Sequence, residues 1–505
     1  MREGGKQKEA ETEKQKNIKT METEKEKNHM EMTVGTKWEE GYVRKLAQMG
    51  VNMVYGSLRE SAIGNARASA VLPEVSKEEA VKHVELVHSL GMRFGYTLNS
   101  PCLGNMEFTA KGQNRILEEL DFIYHELKAD QVIITVPSLM EIVRKRFPDW
   151  EIKASIVNQI STVESVRSFI ELGADVIVID NNINRKFKVI EAIRSFTDKK
   201  LEVLANDSCL LDCPYKNYHY NISAHSSRDD DPLDKWFVDY CVMKCMKEKC
   251  TNPELIIKSS FIRPEDVGIY EDLGIDVLKI NTRHMPADWG LRAVKAYADR
   301  SYDGNLLDII CPVAMTFPEE SLSKMEGWKE ESWAQFIYSM NFPTPEMYLD
   351  NRKLDGFLEH YRKEGHDCDS MCGISCNYCK ELADKTVTPD PDRQRYENYV
   401  NFMEEGIDNI IQCSLADENT AVQGTKWDEA IRSEYEDLLT IVPWMFRSIA
   451  QKKTTAKAEQ FAAARKSAVV EAEDMVKAVY SETPNGSMKK LMAKLEKYRH
   501  TSLVE

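Results

Sequence analysis

Between about residue 37 and residue 300 the chain alternates amphipathic stretches with short apolar runs. The runs are Val51–Tyr55, Arg93–Leu98, Gln131–Val136, Glu151–Ile156, Asp175–Ile179, Leu201–Leu204, Leu255–Lys258 and Val277–Ile280. Most are rich in β-branched or aromatic side chains. Several follow a Gly or Asp that ends a helix-like stretch, as in GVNMVY, LGMRFGY, LGADVIVID and LGIDVLKI. Runs bounded in this way read as buried strands, and the stretches between them as helices. STVESVRSFIELG opens on a Ser/Thr cap and carries its apolar residues at helical spacing. Eight strand–helix units in roughly 240 residues predict an α/β fold, a closed (β/α)8 TIM-like barrel rather than a doubly wound sheet.

The flanks break this rhythm. Residues 1–36 are a Lys/Glu run with almost nothing to bury, expected to be disordered. Residues 37–300 are the expected barrel, and 301–390 are irregular and Cys-rich. Residues 391–505 are expected to be helical, with long helices near 391–413 and 426–450, another from Lys452, and a short one after it.

Charge narrows the choice of partners. The 505 residues hold 67 Lys and Arg against 83 Asp and Glu, a formal net charge of -16. That counts against nucleic acid as a general partner, because phosphate neutralisation needs clustered cations. No stretch has the roughly 18–20 apolar residues of a membrane span, and no secretory signal opens the chain, so a cytoplasmic protein is expected. In such a reducing compartment the twelve cysteines are not expected to be disulfides.

Their spacing is informative. Cys209 and Cys213 are followed by Cys241, Cys245 and Cys250, and Cys368, Cys372, Cys376 and Cys379 come later; Cys102, Cys311 and Cys413 stand alone. Two C-x3-C pairs can each present two thiolates on one helical turn, a donor set for [4Fe–4S] or for structural zinc. Cys250 is a possible substitute ligand. The four cysteines of CDSMCGISCNYC are expected to meet around a second metal, iron–sulfur or zinc, of more structural character.

In a barrel of this class the chemistry lies at the C-terminal ends of the strands. Asn99, Ser100, Asn158, Gln159, Asp180, Asn181, Asn206, Asp207 and Asn281 follow predicted strands. Amides and carboxylates collected there suit a polar small molecule or a peptide. Asp180 and Asn206 are singled out as candidate site residues, and Arg263 and Arg283 as clamps for a carboxylate. Cys209 and Cys213 fall on the same face.

At these motifs the chain resembles a known family. SCLLDCPYKNYHYNISAHSS, DYCVMKC, FIRPEDVGIYEDLGIDVLKINTR and KAYADRSYDGNLLDII look like peptidase family U32, over roughly residues 45–380. The resemblance implies a cysteine-ligated [4Fe–4S] cluster whose ligands land on Cys209, Cys241 and Cys245, with Cys213 as the fourth. Family members that hydroxylate without oxygen, in ubiquinone biosynthesis or on RNA nucleosides, imply an oxidoreductase with prephenate as oxygen donor. The expected function is therefore oxygen-independent hydroxylation of a small molecule or peptide. The alternatives are a metal-containing scaffold working with a homo- or hetero-oligomeric partner, an RNA-modifying hydroxylase and, last, a peptidase. The sequence shows no Ser–His–Asp or Cys–His arrangement and no H-E-x-x-H motif.

Overall fold

Parallel strands buried on both faces read as near-continuous apolar runs, and here they close into a ring. The strands are β1 (Glu31–Gly35), β2 (Met53–Gly56), β3 (Arg93–Leu98), β4 (Gln131–Ile134), β5 (Glu151–Ala154), β6 (Val176–Val178), β7 (Lys200–Leu204) and β8 (Val277–Ile280). Each pairs with the next in parallel, and β8 returns to β1 with Val34 opposite Ile280. The protein is thus a (β/α)8 barrel followed by a helical region. The computed structural model describes residues 30–67, 72–231, 240–282, 285–310, 345–411, 426–442, 444–483 and 487–504. Arg283, Cys311, Cys413 and the tail before residue 30 lie outside them.

Two strand expectations are corrected. Residues 31–35, expected to belong to the disordered tail, form β1, which buries Thr33, Val34 and Gly35. Residues 255–258, expected to be a strand, lie in the helix Glu254–Lys258. Pro253 precedes its first turn, where a missing N–H costs nothing, and a Glu254–Lys258 ion pair closes it at i,i+4. The two errors cancel in the count of eight, but the Leu201–Leu204 run becomes the seventh strand.

The helices begin where the sequence offers caps. Ser76 accepts from the Glu79 amide while Glu79 reaches back to Ser76, a capping box that opens Lys77–Ser89. Thr162 caps Val163–Glu171 in the same way through Ser165. The barrel lumen is charged. Lys153 Nζ on β5 lies 2.5 Å from Glu202 Oε2 on β7, with 1% and 0% of the side chains exposed. A contact that skips β6 has to cross the lumen. Lys279 of β8 approaches the other Glu202 oxygen at 3.9 Å and lies over the Tyr55 ring.

The chain divides into two units. The first holds the barrel together with residues 254–312 and 348–387. The second comprises residues 236–253, 313–347 and 388–505. Its described helices are Tyr240–Thr251, Arg393–Ile411, Glu429–Leu439, Trp444–Ala464, Ala472–Glu482 and Met488–Lys497. Leu438, Ala458, Val476, Leu491 and Leu495 are among its core residues. Among the described residues, no helix is long and apolar enough to cross a membrane.

Candidate functional site

The turn that leaves β6 and the loop that leaves β7 form one polar cluster at the C-terminal end of the barrel. Asp180 caps the turn Asn181–Ile183, accepting from the Asn182 amide at 3.0 Å. Lys216 Nζ, itself buried, donates to Asp180 Oδ1 at 2.6 Å and to Asn181 Oδ1 at 2.8 Å. Asn181 Nδ2 donates in turn to Asp207 Oδ2 at 2.9 Å. Cys209 and Cys213, both half-buried, stand on the same loop. Burial first, then the proximity of Cys209, Asp207, Asp180 and Cys213, holds the Tyr220 phenol well above its usual value.

Several polar atoms around this end are buried with no protein partner. They are Ser57 Oγ beyond β2, both amide atoms of Asn65 in the following loop, Ser260 Oγ and Asn281 Oδ1 beyond β8. Asn65 is wholly buried. Such groups are costly to leave unsatisfied, and a polar ligand would complete them.

The structure gives other expected residues different partners. Asn206 donates to the Asn281 and Ile309 carbonyls at 2.9 and 3.2 Å and accepts from the Asn281 amide at 2.6 Å. Its amide thereby ties β7 to the chain beyond β8. Arg263 is 0% exposed. Its Nε donates to Asn351 Oδ1 at 2.9 Å and its Nη2 to Asp355 Oδ1 at 2.5 Å. The guanidinium fastens segment 348–387 to the barrel. Beside it, burial pushes the Asp266 carboxyl up to about 6, against an opposing pull from Arg263.

Asp266 gives a stability prediction. The folded state holds its proton more tightly than the unfolded chain does, where the usual value is 3.8. Its contribution is fully present below that value and is lost as pH rises through about 6. Asp266→Asn should flatten the stability profile between pH 4 and 7, removing a change of roughly 2–3 kcal/mol. Urea denaturation at a series of pH values checks this; an unchanged slope would contradict it.

Cys241 and Cys245 lie one turn apart on Tyr240–Thr251, the first buried and the second half-buried. Cys245 Sγ contacts the Val242 carbonyl at 3.4 Å. Cys250 is buried on this helix, and desolvation pushes its thiol up to about 12. Thiol pairs at this spacing fit thiolate ligation in their donor chemistry.

The second cysteine group lies in the barrel unit. Cys368, Cys372, Cys376 and Cys379 line one small cavity with Lys258, His360, Tyr361 and His366. His360 Nε2 is 3.4 Å from Cys376 Sγ, and His366 Nε2 is 3.3 Å from Cys368 Sγ. The Tyr361 hydroxyl is 3.2 Å from Cys379 Sγ. Arg185 donates to Tyr361 and to the Ile257 carbonyl, and its guanidinium lies 5.0–5.1 Å from the Phe261, Phe357 and Tyr361 ring centres. A larger pocket of about 610 Å³ runs from Asn181, Asn182 and Arg185 to Cys368, Cys372 and Cys379. Segment 366–379 therefore borders the end of the barrel where β6 finishes.

The sequence alone shows no Cys–His arrangement, and the fold makes two such contacts. In the His366–Cys368 pair burial works against an activated nucleophile, which needs a lowered thiol pKa. Burial pushes Cys368 up to about 11 and raises Cys379, while it lowers His360. A metal ion that binds such thiols displaces their protons.

Comparison with known proteins places these features. Residues 38–303 match peptidase family U32. An uncharacterized protease of Methanocaldococcus jannaschii is 31% identical over 330 residues, 64% of this chain and 86% of that protein. The solved structure of a U32 peptidase aligns with 18% identity and a TM-score of 0.39, over 50% of this chain and 93% of that one. D-psicose 3-epimerase from Clostridium cellulolyticum H10 aligns with 12% identity and a TM-score of 0.30, over 56% and 100%. The family match ends before His360 and the second cysteine group.

Proposed function

The chain belongs to peptidase family U32, and from that membership we propose that it is an iron–sulfur redox enzyme. It would modify a polar small molecule or peptide at the C-terminal end of the barrel without molecular oxygen. The [4Fe–4S] cluster would be held by Cys209, Cys213, Cys241 and Cys245, with Cys250 as the alternative to Cys213. Bound there, the cluster supplies electron-transfer chemistry, and the protein supplies binding and orientation. The carrying observation is Asn65, wholly buried with neither amide atom partnered. With Ser57 and Asn281 it supports a polar ligand at the end of the barrel where this fold does chemistry.

Asp180 and Lys216 would hold the loop that carries the thiols rather than meet substrate, since each satisfies the other. Asn206 and Arg263 are positioning residues in this reading. The carboxylate-clamp role falls to Arg283 alone. Prephenate, a dicarboxylate, fits that expectation as oxygen donor.

The test compares anaerobic cells with and without the gene by mass spectrometry of metabolites, peptides and nucleosides. The expected result is a product one oxygen heavier, unlabelled when the cells are exposed to 18O2. Peptide cleavage would favour proteolysis. A modified nucleoside would favour the RNA-directed branch. A stoichiometric partner with no chemical difference would favour a scaffold.

A further inference from the structure

We infer that His360, His366, Cys368 and Cys376 bind one zinc ion, and that Cys372 and Cys379 lie outside its coordination sphere. Among the described residues, one set of three or more Cys, His, Asp or Glu donors converges within 4.8 Å, and it is His360, His366 and Cys376. No three of the four cysteine sulfurs meet that limit; Cys368 Sγ stands 3.3 Å from His366 Nε2 but beyond the limit from at least one other member of the set. In tetrahedral zinc, with Zn–N about 2.0–2.1 Å and Zn–S about 2.3 Å, neighbouring donors stand roughly 3.3–3.8 Å apart. His360–Cys376 at 3.4 Å and His366–Cys368 at 3.3 Å have that spacing. A tetrathiolate ion would need all four sulfurs to draw together, whereas the two-histidine set needs Cys368 alone to close on the other three.

The remaining thiols have other partners. Cys379 meets the Tyr361 hydroxyl at 3.2 Å, and Cys372 hydrogen-bonds Lys258. The cavity lined by these residues is about 20 Å³. By the same measure one water needs roughly 10–15 Å³, so the space suits a single ion. The imidazoles are already oriented: the His360 ring stacks on Tyr378 at 3.8 Å between centres, and His366 meets it edge-on at 4.4 Å. Rings fixed in this way are what a ligating histidine requires. The ion would close the loop 360–379 beside the larger pocket, a stabilising structural role.

This centre does not depend on the iron–sulfur reading of the first cysteine group, and the test separates the two. Zinc and iron are measured on the full-length protein purified anaerobically, for wild type, the double variant His360→Ala with His366→Ala, and Cys372→Ala. About one zinc per chain is expected in wild type and in Cys372→Ala, with zinc affinity at least about tenfold weaker in the double variant and iron unchanged. Cobalt substituted into the wild-type protein gives a readout that does not depend on how the variants fold. Its absorption should show mixed nitrogen and sulfur ligation with two thiolates. Four-thiolate cobalt bands, zinc retained in a folded double variant, or iron in place of zinc at this site would each overturn the assignment.

Discussion

Glu202→Gln should destabilise the barrel by about 3–5 kcal/mol, the cost of breaking one side of a buried ion pair. Glu202 lies between Lys153 and Lys279 in the lumen, and its side chain is wholly enclosed. Without it the Lys153 ammonium, 1% exposed, loses its partner at 2.5 Å. Burial already lowers the Lys153 pKa, with Glu202 as the main opposing influence. Removing the carboxylate leaves neutralisation of Lys153 as the remaining relief. The folded state then binds fewer protons than the unfolded chain, so the variant's stability should rise with pH up to the usual lysine range. Urea unfolding followed by circular dichroism at pH 7 and pH 9 measures both effects. Adding Lys153→Met should restore much of the loss, because a paired deletion leaves fewer stranded charges. A Glu202→Gln protein as stable as wild type would show that the lumen is solvated.

Cys241→Ala should remove essentially all the iron and, with it, turnover. The ligand set implied by the family has no spare thiolate nearby except Cys250, whose thiol burial holds protonated at about 12. Alanine at position 241 keeps the apolar character of a buried position on Tyr240–Thr251. Loss of fold is therefore not the expected outcome. Iron content, the visible absorption band and far-UV circular dichroism, measured anaerobically, read these effects separately. Zinc should be retained. Full iron content in Cys241→Ala would show that the ligand assignment is wrong.

Fold class was legible because buried parallel strands leave short apolar runs, and eight of them alternated with helix-like stretches. β1 was not, because its five residues follow directly on a Lys/Glu-rich tail and alternate over too short a span. Leu255–Lys258 misled for the opposite reason: three apolar positions in a row before a lysine fit a short buried helix as well as a strand. The lumen charges left a trace, since EIKA, LEVL and VLKI each carry a charged residue inside an apolar run.

The candidate site was legible by half. Cys209 and Cys213 could be placed because a motif and a strand end coincide. His360 and His366 could not, since residues six apart share no helical face, and only the turn at Gly373 and the stacking on Tyr378 bring their rings to the thiols. Arg263 illustrates a limit of a different kind. An arginine at the mouth of a barrel reads equally as a substrate clamp or a structural brace, and Asn351 and Asp355, some ninety residues later, decide between them.

The central claim is that this chain is an iron–sulfur protein. The most direct measurement is quantitative metal analysis with Mössbauer spectroscopy on protein made in iron-supplemented anaerobic cells. The account predicts roughly four irons per chain, with a [4Fe–4S] signature, and about one zinc. Colourless protein that carries zinc but no iron, and takes up none on anaerobic reconstitution, would contradict it.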